Sequence, residues 1–144
     1  ADPKAMLHIT ETLSERLRSL NVEALAAIDS RGFIFGAPVA AALGIPFVPI
    51  RKAGKLPPPV VGVDYSLEYG SARLEMTTTA VRKGQRVAVV DDLLATGGSA
   101  GAGVKLVTEL DAEVVSIAFL VELEFFNGRS VLPNGIDVFS MVKY

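Results

Sequence analysis

"VVDDLLATGGSA", residues 89–100, runs from an apolar stretch into two adjacent carboxylates and then into a glycine pair set between hydroxyls. With the residues before it, "RVAVVDD" (86–92) is the most strand-like run in the chain, and "SAGAGVKLVTEL" (99–110) follows it as a helix. The same alternation recurs on either side. "EALAAID" (23–29) reads as a short buried strand, and "RGFIFGAPVAAALG" (31–44) as a loop leading into a helix that Gly44 stops. "PFVPI" (46–50), "EVVSIAFLVEL" (113–123) and "DVFSMV" (137–142) are further strands. In residues 5–20, Met6, Ile9, Leu13, Leu17 and Leu20 recur every three or four positions between charges, which predicts an amphipathic helix with Asp2 as its cap and Pro3 at its first position. Apolar strands alternating with helices predict an α/β fold: a parallel sheet flanked by helices on both faces, with ligands at the carboxyl ends of its strands. Loops at residues 29, 51 and 91 start at such ends.

One stretch departs from the pattern. Residues 51–85 hold three consecutive prolines, four glycines and many charges, and their middle alternates as "VDYSLEY" and "ARLEMT". This predicts a two-stranded excursion outside the main sheet, within a single domain spanning 1–144. Pro57, Pro58 and Pro59 lack the spacing of a proline-recognition ligand and read as stiffening the base of a mobile loop.

A chain of 144 residues can bury roughly 68 to 70% of its unfolded surface in one core. Its apolar runs are too short for a bilayer-spanning helix. Fourteen basic against sixteen acidic residues leave a net charge of −2, which gives no broad footprint for nucleic acid or an anionic membrane. Any phosphate must be bound locally. The absence of cysteine excludes disulfides and thiolate metal sites, and the N-terminal residues carry no signal-peptide pattern, so a soluble cytoplasmic protein is expected. His8, the only histidine, has no metal-ligand partners near it in sequence and reads as structural.

The chemistry concentrates after residue 90. A helix N-terminus presents unpaired N–H groups, and glycines let the backbone approach an anion closely, a description that Ala95, Thr96, Gly97, Gly98 and Ser99 fit. Taken alone, they are also an ordinary turn. Neither a Walker loop nor a dinucleotide fingerprint occurs anywhere in the chain. Asp91 and Asp92 change the balance, because carboxylates at the end of a buried strand need a partner; two sugar hydroxyls serve, as does a magnesium ion carrying its waters. Acids followed at once by a phosphate cradle point to a ribose 5-phosphate, its phosphate on the glycine loop and its 2- and 3-hydroxyls on Asp91 and Asp92.

"VVDDLLATGG" resembles the phosphoribosyl pyrophosphate signature of the type I phosphoribosyltransferases, and its Leu-Leu-Ala form is similar to that of the adenine-specific branch. "IDSRGFIFG", "IRKAGKLP", "YSLEYG" and "LVEL" continue the resemblance in the same order along essentially the whole chain. It implies the Rossmann-like type I fold with a protruding flexible two-stranded loop, and a cytoplasmic homodimer that makes AMP and pyrophosphate from adenine and phosphoribosyl pyrophosphate with magnesium. Residue by residue, it implies that Ser30, Arg31 and Gly32 hold the pyrophosphate, with a cis peptide between Asp29 and Ser30. Arg51, Lys52 and Lys55 clamp the same group. Glu68, on a closing loop, exchanges a proton with the purine, and Tyr65 and Tyr69 seal that loop. Leu123 packs on the adenine ring. The match begins some way inside the family's usual start, so the N-terminal hood that contacts the adenine edge has no counterpart in these residues. Two other readings stay open: a phosphoribosyltransferase for another purine such as xanthine, and a non-catalytic domain that binds phosphoribosyl pyrophosphate as an effector.

Overall fold

The computed structural model describes residues 2–67 and 69–144. Its elements are α1 (Pro3–Ser19), β1 (Ala24–Ile28), α2 (Arg31–Leu43), β2 (Phe47–Lys52), β3 (Val60–Ser66), β4 (Ser71–Thr77), β5 (Arg86–Leu94), α3 (Gly98–Glu109), β6 (Glu113–Glu122) and β7 (Asp137–Lys143). Two short 3-10 turns, Glu124–Phe126 and Gly128–Val131, lie between the last two strands.

Local chemistry sets the boundaries. The Asp2 side chain accepts a hydrogen bond from the Lys4 amide at 2.9 Å, and Pro3, which has no amide hydrogen to satisfy, opens α1. Gly44 ends α2 in the left-handed region at φ 67°, where a side chain would be strained. This helix begins at Arg31 itself, directly after β1 and the two residues that follow it, so the leading loop expected there is absent.

The strands form one seven-stranded sheet in the order β3-β4-β2-β1-β5-β6-β7. The five strands from β2 to β7 run parallel, and β3 and β4 form an antiparallel hairpin. That hairpin is not outside the sheet, as the sequence reading had it. β4 pairs antiparallel with β2 through Arg51↔Glu75 and Lys52↔Leu74, and this extends the sheet by two strands. The reason is burial: Val63, Leu74 and Met76 point into the same core as α3 and would expose apolar surface if the hairpin stood free.

Alternation along the central strands divides the core in two. Val87 and Val89 of β5 pack with Ala24, Ala26 and Ile28 of β1 on the α3 side. Ala88 and Val90 pack with Leu25 and Ala27 on the side of α1 and α2. α2 lies so close to the sheet that a Cβ on Gly36 would stand 2.7 Å from the Ala27 Cβ. No helix among the described residues is long and apolar enough to cross a membrane.

Candidate active site

The carboxyl ends of β1, β2 and β5 open together at one edge of the molecule, where two cavities meet across Asp29, Ser30 and Arg31. The first, of about 230 Å³, is walled by Asp91, Asp92, Ala95, Thr96, Gly97 and Ser99 together with Tyr65 of the hairpin. The second, of about 460 Å³, is walled by Arg51, Lys52 and Lys55. An acidic, amide-rich chamber thus adjoins a basic one.

β5 runs to Leu94, two residues beyond the stretch read from sequence, and both aspartates lie within the strand. Asp91 is 9% exposed, and its Oδ1 accepts the Asp92 amide at 2.8 Å. Burial pushes its carboxyl up to about 7; the neighbouring Asp92 carboxyl adds to the rise, and the Asp92 amide and Arg31 oppose it. Around neutral pH Asp91 is therefore divided between its protonated and charged forms, and a cation or a pair of hydroxyl donors would favour the charged one. Asp92 is paired instead, its Oδ2 lying 2.7 Å from Arg31 Nε. Gly32 lines neither cavity. It lets α2 pass close to β5, since a Cβ there would meet the Val90 carbonyl at 2.9 Å.

Beyond β5 the chain turns into α3 through Gly97, in the left-handed region at φ 82°. Among the described residues, the amides of Thr96, Gly97, Gly98 and Ser99 donate to no protein acceptor, as expected of the first turn of a helix. Gly98 faces a neighbouring cleft beside Tyr65 and Lys105. The start of α3 thus carries uncommitted amides, those of Thr96, Gly97 and Ser99 in residues that wall the acidic chamber.

In the basic chamber, Arg51 Nε donates to Asp29 Oδ2 at 3.0 Å and its Nη1 donates to the Lys55 carbonyl at 3.2 Å. Both arginines expected to face a pyrophosphate are therefore already held by carboxylates, Arg31 by Asp92 and Arg51 by Asp29. Lys52 and Lys55 pair with no carboxylate among the described residues. The Asp29–Ser30 peptide is cis, as the resemblance implied.

Other expectations divide. Tyr65 lines the acidic chamber, and burial, with Asp91 next in importance, raises its hydroxyl pKa. Tyr69 is 92% exposed and lines neither chamber, so it does not seal the site in this structure. Glu68 lies outside the described residues. Leu123 follows β6, half-buried, with its amide on the Leu94 carbonyl at 2.9 Å, and borders neither chamber. His8 is exposed on α1. Sequence reasoning overlooked Glu122, which is 5% exposed and held well below the usual carboxylate range, at about 2, chiefly by hydrogen bonds from Arg129. A charge interrupting the apolar run "AFLVEL" was the available signal.

A model of the phosphoribosyl transferase domain matches residues 1–141. The chain belongs to the phosphoribosyltransferase family. It is similar to the adenine phosphoribosyltransferase of Alkaliphilus metalliredigens, with 50% identity over 99% of this chain and 84% of that one. Among solved structures of the family, the adenine phosphoribosyltransferase of Thermoanaerobacter pseudethanolicus superposes with a TM-score of 0.95 at 48% identity, covering 99% of this chain and 83% of the other. The Saccharomyces cerevisiae adenine phosphoribosyltransferase, crystallised with adenine and an imino-altritol bisphosphate, gives 0.93 at 38% identity over 97% and 81% of the two chains.

No group of three or more His, Cys, Asp or Glu side chains among the described residues forms a metal cage. Asp91 and Asp92 of the acidic chamber are the carboxylates that could hold a magnesium ion through its waters.

Proposed function

We propose that this chain transfers the 5-phosphoribosyl group of phosphoribosyl pyrophosphate to N9 of adenine, releasing AMP and pyrophosphate. The observation that carries this reading is the junction of the two chambers: paired acids and free amides on one side, cations on the other, within reach of one extended substrate. The similarity to adenine enzymes supports the choice of base.

In this mechanism the amides of Thr96 to Ser99 take the 5-phosphate, and Asp91 and Asp92 accept the 2- and 3-hydroxyls. Ser30, Arg31, Arg51, Lys52 and Lys55 receive the pyrophosphate. Magnesium, when bound, neutralises phosphate charge and helps the leaving group depart. As the bond from the anomeric carbon to pyrophosphate breaks ahead of attack by N9, positive charge grows on the sugar. The fixed carboxylates stabilise it without having to reorganise. The two arginine–carboxylate pairs keep the cations oriented beforehand, and the incoming phosphates replace or share their partners. Glu68 exchanges the proton of the purine, and Leu123 packs on its ring.

The deciding experiment incubates the protein with phosphoribosyl pyrophosphate, magnesium and, separately, adenine, hypoxanthine and xanthine. AMP formation from adenine at a kcat/KM at least ~10²-fold above the other bases is expected. Preference for xanthine would move the substrate assignment, and tight phosphoribosyl pyrophosphate binding without turnover of any base would leave an effector-binding domain.

Asp91 supplies a pH signature. Hydroxyl donors and a cation both favour its charged form, whereas the free protein keeps it protonated up to about pH 7. Below that, binding must expel a proton, so affinity for phosphoribosyl pyrophosphate should rise with pH by up to roughly tenfold per unit and level off above pH 7. Asp91→Asn should flatten that part of the profile, as measured by calorimetry from pH 5.5 to 8.5. A profile identical in the two proteins removes Asp91 from the sugar site.

A further inference from the structure

Glu122 ends β6, and seven residues later Arg129 lies in the second 3-10 turn. Arg129 Nε donates to Glu122 Oε1 at 2.6 Å and Nη2 to Oε2 at 2.7 Å, a two-pronged pairing. The assembly is fastened on both flanks: Arg129 Nη1 donates to the Val138 carbonyl at 3.0 Å, and Ser140 Oγ to Glu122 Oε2 at 2.7 Å, both on β7. The Lys143 ammonium lies 3.9 Å from the same oxygen and 3.3 Å from Glu124.

This arrangement fixes a short loop of chain whose other side bears on residues 95–97. A Cβ on Gly128 would stand 2.1 Å from the Ala95 carbonyl oxygen and 2.9 Å from Leu94 Cδ1. A Cβ on Gly97 would stand 2.5 Å from the Gly128 carbonyl oxygen and 2.5 Å from Val131 Cγ2. At its tightest points the contact is backbone against backbone, Gly128 against Ala95 and Gly97 against Gly128. The Leu123 amide, at the root of the same loop, is bonded to Leu94 at the root of the other. Moving one loop moves its neighbour.

We propose that Glu122 and Arg129 are positioning residues: their forked pair holds the 124–131 turn as a backstop that sets where the amides of Thr96 to Ser99 stand. The inference rests on those amides being the 5-phosphate site. Anion binding by amides depends on several donors converging within a few tenths of an ångström, so a relaxed backstop costs affinity even where the fold survives.

Two ligands separate the possibilities, since ribose 5-phosphate needs the 95–99 loop whereas pyrophosphate with magnesium is assigned to the basic chamber. Both are titrated by calorimetry into the full chain and into Arg129→Ala, Arg129→Lys and Gly128→Ala. Arg129→Ala is expected to weaken ribose 5-phosphate by about tenfold or more while leaving pyrophosphate within about twofold. Arg129→Lys, which keeps the charge and loses the fork, should fall between; Gly128→Ala, which presses on Ala95 directly, should reproduce the selective loss. If Arg129→Ala does not fold, the other two carry the comparison. Unchanged ribose 5-phosphate affinity overturns the proposal, and so does an equal loss for both ligands, which marks a general loosening. Failure of the unaltered protein to bind ribose 5-phosphate overturns the phosphoribosyl reading as well, and that outcome is distinct from the others.

Discussion

Glu68→Leu is expected to lower turnover of adenine by at least ~10²-fold while leaving the affinity for phosphoribosyl pyrophosphate unchanged. The split follows from the roles assigned. A group that exchanges a proton with the purine acts in the chemical step, and general acid or base help of this kind is worth about 10² to 10⁴ in rate. The residues assigned to the sugar and its phosphates belong to β5, the loop after it and the ends of β1 and β2. Glu68 follows β3 in sequence, the strand whose Tyr65 reaches the acidic chamber. Steady-state kcat and a direct titration with phosphoribosyl pyrophosphate provide the two readouts. Normal turnover in the variant removes the proton-transfer role; lost turnover with equally lost binding makes Glu68 a residue of substrate capture.

The combined substitution Asp91→Asn and Asp92→Asn should act on the opposite quantity. Each aspartate is assigned a hydrogen bond from a sugar hydroxyl to a charged acceptor, worth about 1.5 to 3 kcal/mol. Losing the charge of both corresponds to roughly 10²- to 10⁴-fold weaker binding of phosphoribosyl pyrophosphate, at 1.4 kcal/mol per tenfold. Folding should not suffer in proportion. Asp91 is buried and resists ionisation, so an amide of the same shape removes a strained charge rather than a supporting one. Arg31, deprived of its Asp92 partner, is the group whose freedom changes most, and pyrophosphate affinity measured alongside reports on that. Unchanged affinity for the activated sugar in a folded double variant eliminates the ribose assignment.

The central sheet was legible because its chemistry is local. Val87 to Val90 declare a strand buried on both faces, Gly44 declares a helix end, and Thr96 to Ser99 declare free amides, each through neighbours only a few residues away. The placement of the hairpin was not legible, since it depends on Leu74 and Met76 finding the α3 core across the fold and on a two-residue seam with β2. The same holds for Arg31 and Arg51. Their basic character marked the site, but their partners, Asp92 on β5 and Asp29 just past β1, come from elsewhere in the fold, so sequence alone presented them as unattached. Arg129 lay in an unremarkable turn, and only its meeting with Glu122 gave it meaning.

That two-residue seam joins regions which sequence separates. Arg51 and Lys52 bind β4 with their backbones while their side chains border the basic chamber. β4 answers by shaping the next loop, its Arg73 carbonyl accepting the Ala53 amide at 3.1 Å and Glu75 accepting the Gly54 amide at 2.9 Å. The basic chamber is therefore tailored by a ribbon that carries none of its cations. Altering that ribbon's weave at positions 73 to 75 would reshape the chamber without changing any residue that lines it.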